Sequence, residues 1–78
     1  MPTIHELAHE LKICMYADDH APPHFHLKGP SRECQVRLSD LRMMAGRADR
    51  RDFSLAVAWA LDNMDILRRR WSELNERG

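Results

Sequence analysis

Apolar positions recur at two periods along this chain, every second residue in the first half and every three to four in the second. From Leu11 to Tyr16, Leu11, Ile13 and Met15 alternate with other residues, which predicts a strand with one buried face. His24-Phe25-His26-Leu27-Lys28 alternates strictly and predicts a second strand, with Phe25 and Leu27 inward and His24, His26 and Lys28 outward. Between the two, Asp18 to Pro23 is a polar loop stopped by prolines, which cannot donate to a sheet ladder. Gly29-Pro30-Ser31-Arg32 reads as a turn. Glu33 to Leu38 then alternates with Cys34, Val36 and Leu38 inward, completing a hairpin. Leu41 to Ala45 is expected to add a fourth short strand ended by Gly46. At the start, Ile4, Leu7, Ala8 and Leu11 fall at helical spacing behind Thr3, with Glu6 three residues on, so one or two helical turns are expected there.

From about Asp49 to Leu74 the period changes. Phe53, Val57, Ala60, Met64, Leu67, Trp71 and Leu74 form one apolar stripe along an amphipathic helix of about five turns or more. Asp49 or Asp52 is placed to cap it and Gly78 to close it. The expected fold class is therefore α+β: a small antiparallel sheet of three to four strands packed against a long C-terminal amphipathic helix, with a short N-terminal helical turn, in one domain over residues 1–78. Leu55, Trp59 and Ile66 make a second apolar line on the other side of the helix. Either the N-terminal turns or a break near Asp62-Asn63 covers them, or they form an interface with another chain.

Composition narrows the class. At 78 residues, with 44% hydrophobic letters and 12 basic against 12 acidic side chains, the chain describes one small domain. No apolar run approaches the roughly 18 residues of a membrane span and no secretion signal is read, so no membrane contact and a cytoplasmic location are expected. Cys14 and Cys34 are then expected to be thiols. So short a chain builds a marginal core, which makes a partner subunit or a homodimer an expectation. The charge is unevenly spread: residues 1–26 carry net −3, 27–51 net +4 and 52–78 net −1. The basic middle segment is either solvated surface or a contact for RNA, DNA or an acidic partner.

The chemistry concentrates in His20-Ala21-Pro22-Pro23-His24-Phe25-His26. Residues two apart in a strand project side by side, so His24 and His26 present paired imidazoles, and His20 can fold back across the proline loop. Three imidazoles suit a divalent metal, with His20, His24 and His26 as ligands, or general acid and base work. Spacing places no fourth ligand: Asp18 and Asp19 lie nearby on a flexible loop, and Cys34 reads as inward. The structural alternative is imidazoles hydrogen-bonded to loop backbone. A catalytic set for RNA cleavage would be His24 and His26 with Arg37 as phosphate cation, Arg42 as a second candidate and Tyr16 at the border. Arg68, Arg69 and Arg70 suit the C-terminal end of a helix dipole. Glycine-rich phosphate loops and a nucleophile elbow are absent from the sequence.

Met1-Pro2-Thr3-Ile4, the run from Asp19 to His26, and a C-terminal helix carrying Trp59 and Trp71 together resemble a bacterial family, domain of unknown function 4160. The likeness covers nearly the whole chain, and Pro-Pro-His-Phe-His is its most specific part. The opening departs from the family, since Leu7 to Glu10 is more helical in composition than the usual lead-in to the first strand. The resemblance implies a small α+β protein encoded beside a second small protein of another uncharacterised family (2442), an arrangement treated as toxin and antitoxin. It implies that His20, Pro22, Pro23, His24, Phe25 and His26 carry the function. The expected role is thus the toxin component of a two-protein module with the adjacent gene's product as cognate partner. The alternative is a metal- or nucleic-acid-binding regulatory module without catalysis.

Overall fold

Five short strands pair in chain order into an antiparallel meander: β1 (Thr3–Glu6), β2 (Lys12–Cys14), β3 (His24–Lys28), β4 (Glu33–Arg37) and β5 (Met43–Gly46). Two helices follow, α1 (Arg50–Asp62) and α2 (Met64–Asn75). The structure is a computed structural model that describes residues 3–75; Gly78, expected to close the helix, lies outside them.

The α+β class stands, with more elements than expected. β3 and β4 occupy the alternating runs, in register from His24 opposite Arg37 to Lys28 opposite Glu33. Their register aligns the apolar face: Ile13 lies opposite Leu27, Leu27 opposite Cys34, and Phe25 opposite Val36. These residues join Ala56 and Ala60 of α1 and Leu67 and Trp71 of α2 in one buried core. The alanines leave room for α1 to approach its neighbours in that core closely.

Three expectations are corrected. Thr3–Glu6 is an edge strand rather than a helical turn. A lone helical turn carries the cost of nucleation with little return, whereas here the segment gains a ladder with β2 and stacks His5 on Trp59, ring centroids 4.7 Å apart at 15°. The sheet thereby has five strands instead of three or four. The single long helix is two, because Asn63 leaves helical geometry at φ −134° and ψ 28°. Its Nδ2 donates to the Trp59 carbonyl at 2.8 Å and its N–H to the Ala60 carbonyl at 3.0 Å, satisfying acceptors at the end of α1. Asp49 is the N-cap residue of α1, but its carboxylate is held by Arg32 instead of capping the helix.

Gly46 is required by its backbone. Its φ is +85°, and a Cβ there would collide with the Glu33 carbonyl and stand 2.7 Å from the Cys34 Cα. No helix among the described residues is long and apolar enough to cross a membrane.

Candidate metal centre

β3 is buried on both faces. Phe25 and Leu27 enter the core as the alternation predicts, but His24 and His26 are not exposed either: His24 is 0% and His26 9% accessible. The cover comes from the β2–β3 loop and from α2. The His24 ring lies 5.2 Å from the Trp71 ring, and Tyr16 meets His26 edge-on at 4.7 Å.

The loop is fastened at long range. The Asp19 N–H donates to Asn75 Oδ1 at 2.7 Å, and Asn75 Nδ2 donates to the Tyr16 carbonyl at 3.2 Å. Asp18 adopts φ 58°, a left-handed conformation that costs energy outside glycine and concentrates at functional sites. Together these features set the Asp19 carboxylate over the two histidines.

Each ring has one nitrogen engaged and the other close to Asp19. His24 Nδ1–H donates to the Pro22 carbonyl at 2.7 Å, which leaves Nε2 of the neutral ring with a lone pair. That Nε2 stands 3.0 Å from Asp19 Oδ2 but out of line for a hydrogen bond, and it has no hydrogen-bond partner among the described residues. His26 Nδ1 faces Glu33 Oε2 at 3.4 Å, and its Nε2 is 3.0 Å from the same Asp19 Oδ2. The three ligand atoms lie within 4.8 Å of one another. Ligands about 2.0–2.2 Å from one cation sit about 2.9 Å apart at right angles and about 3.4 Å apart in a tetrahedron, so the two 3.0 Å separations from Asp19 Oδ2 suit a shared ion.

Burial pulls the Asp19 carboxyl upward, but the His26 hydrogen bond, the His20 N–H and the charge that the two imidazoles carry when protonated outweigh it and hold it below the usual carboxylate value. An ionised carboxylate is the form a cation requires.

The remaining sequence candidates divide around this cluster. His20 does not join the three converging atoms: its side chain is 66% exposed and its Nδ1 meets the outer oxygen of Asp19, Oδ1, at 3.1 Å. Pro22 supplies the carbonyl for His24, and the Pro23 carbonyl accepts the Leu38 N–H at 3.0 Å. The Tyr16 ring lies against His26 at the border of the cluster. Arg37 is the cross-strand partner of His24, yet its guanidinium is committed to both oxygens of Asp40, at 3.0 and 2.7 Å. The Arg42 N–H goes to the same Asp40, at 3.1 Å. Leu55 and Trp59 pack against the core, Trp59 under His5, while Ile66 is half-buried on α2. The thiols are free, and neither belongs to the cluster. Reading residues alone set Asp19 aside as lying on a flexible loop and missed Glu33 as part of the centre. The only available signal was a carboxylate adjoining His20; its orientation depends on a contact 56 residues away.

A family profile described as a domain of unknown function, DUF4160, matches residues 11–72, most of the chain. The chain belongs to the DUF4160 family. No curated protein and no solved structure shows a significant match. The DUF4160 match includes Asp19, His24, His26 and Glu33, and also Trp71, which packs against His24.

Proposed function

We infer that this DUF4160 chain is a divalent-metal-binding domain in which Asp19 Oδ2, His24 Nε2 and His26 Nε2 hold the cation. The observation that carries this reading is His24 Nε2: fully buried, 3.0 Å from a carboxylate oxygen but out of line with it, and without a hydrogen bond among the described residues. A neutral ring whose Nδ1–H is on a backbone carbonyl keeps its lone pair on Nε2; out of line with the nearby carboxylate oxygen, that lone pair is left for a cation that both atoms bind. Second contacts on Nδ1, from Pro22 and Glu33, are those that orient metal-ligating histidines. Two imidazoles and one carboxylate, without sulfur, suit zinc or a neighbouring first-row ion such as iron(II), cobalt or manganese, and leave coordination positions for a ligand.

Calorimetric titration with zinc is expected to show one ion per chain, with affinity lost in Asp19→Ala and in a His24→Ala, His26→Ala double variant. Unchanged binding in the double variant removes these side chains from the site.

The biological setting supported by the family likeness is the two-protein toxin–antitoxin module, with this chain as the toxin half. The exposed Leu61 and the exposed Met43 on edge strand β5 favour a protein partner. Co-expression with the adjacent gene's product, a pull-down and a growth assay decide it; no complex and no growth arrest end the idea.

A further inference from the structure

Outside the metal cluster, the β4–β5 turn and the two helices border a trough made of two depressions of about 640 and 280 Å³ that share Leu41. Arg42, Met43 and Phe53 line the first, and Leu61, Met64 and Arg68 the second. Met43 and Leu61, 39% and 65% accessible, are the large apolar side chains left exposed among the described residues, and the trough holds both. Exposed apolar groups scattered singly need no explanation, whereas two gathered in one concavity mark a binding surface. The turn beside them is fixed: the Leu41 N–H donates to the Arg37 carbonyl at 2.8 Å, and the Arg37 N–H donates to the Arg42 carbonyl at 2.9 Å. Leu41 itself stands at φ 56°, a conformation that a large side chain keeps only where its surroundings hold it.

Length and charge together say what fits there. Phe53, Val57 and Leu61 follow at steps of four along α1, the spacing of a ridge on a helix surface, and the first and last stand about 12 Å apart along the axis. A partner helix with apolar residues at i, i+4 and i+7 presents them over about 10.5 Å. Neither Arg42 nor Arg68 has a carboxylate at ion-pair distance from its guanidinium among the described residues. Asp40 also lines the second depression, but Arg37 takes both of its oxygens. The charge left over is positive and selects an acidic occupant. A two-fold contact with a second copy would set the same arginines against each other, and a flat lipid surface does not fill a recess.

We propose that this trough is the docking site for an acidic amphipathic helix of a partner protein. The apolar face of that helix lies over Leu41, Met43, Phe53 and Leu61, and carboxylates on its flanks pair with Arg42 and Arg68. The inference rests on the protein-partner reading above and deepens it; the metal centre plays no part in it.

The probe is a synthetic helical peptide with leucines at i, i+4 and i+7 flanked by glutamates, titrated into the isotope-labelled chain and followed by amide NMR. Shifts should concentrate at Leu41, Met43, Phe53 and Leu61. The same peptide with lysine in place of glutamate should bind about tenfold more weakly or worse. Leu61→Asp, at an exposed position outside the core, should weaken the glutamate peptide by a similar factor. An Arg42→Glu, Arg68→Glu double variant should reverse the preference and take the lysine peptide, with an unchanged circular dichroism spectrum. Equal binding of the two peptides, an unreversed preference, shifts elsewhere on the surface, or no binding overturns the proposal. A dimer in sedimentation that Leu61→Asp abolishes gives the trough to a second copy and overturns it too, as does a preference for anionic lipid vesicles over the peptide. Co-expression separates this surface from the two-protein module. A complex with the adjacent gene's product that survives both sets of substitutions ends the docking site alone; no complex and no growth arrest, with the peptide results as expected, ends the module and keeps the site.

Discussion

Replacing Asp19 by Asn keeps the shape of the side chain while removing its charge, and the geometry predicts opposite effects with and without metal. In the metal-free protein Oδ2 faces His24 Nε2 and His26 Nε2, each at 3.0 Å. An amide NH₂ in that position has two hydrogens, one for the His24 Nε2 lone pair and one for His26 Nε2 once the His26 proton moves to Nδ1 facing Glu33, while Oδ1 still accepts the His20 N–H, now at 2.9 Å. Satisfying a buried acceptor is worth about 1 kcal/mol, so metal-free Asp19→Asn should match or exceed wild type, by up to about 4–8 °C in Tm. With zinc at about 100 times its Kd, wild type should gain about 2.7 kcal/mol by mass action, or about 11–22 °C for a domain of this size. The variant, lacking the carboxylate, should gain almost none of it. Thermal melts by circular dichroism at pH 8, with zinc or with a chelator, read both numbers. A variant that melts well below wild type in chelator and keeps the zinc shift would refute the reasoning.

Phe25 is fully buried, so Phe25→Ala should cost about 3–5 kcal/mol, read as a lower urea midpoint; a loss below about 1 kcal/mol would place the ring outside the core. Gly46→Ala combines a left-handed φ with backbone collisions against β4 and should cost about 2 kcal/mol or more; a variant as stable as wild type contradicts that geometry. Burial, with Glu33 next, pushes the Cys34 thiol from 9.0 up to about 11. Because the folded value is the raised one, its contribution to stability is complete below pH 9.0 and is lost as pH rises to about 11. In a Cys14→Ala background, alkaline urea melts should show this decline and a Cys34→Ala chain should lack it; equal slopes refute the assignment.

The central hairpin was legible because strict alternation fixes both period and facing: β3 and β4 fall within the runs read from sequence, and Phe25 and Val36 are buried as expected. Alternation also misled, since it separates faces but does not say that a loop and Trp71 cover the second one, which is why His24 is buried rather than exposed. At the N-terminus a helical spacing and a capping pattern competed with sheet pairing, and the ladder to β2 prevailed. The helix stripe was sound through Ala60, Leu67 and Trp71, but at Asn63 the helix divides in two, at the break raised near Asp62-Asn63. Two of the three clustered residues, His24 and His26, lay in the motif. The third, Asp19, is aimed by Asn75 at the far end of the described chain, a contact with no local trace.

Anomalous diffraction at the zinc edge, from crystals grown with zinc, locates the cation directly. The expected result is a single strong peak about 2.0–2.2 Å from Asp19 Oδ2, His24 Nε2 and His26 Nε2, with the Nδ1 contacts to Pro22 and Glu33 retained. A peak held by other side chains, or no peak between these three atoms, contradicts a metal centre on β3.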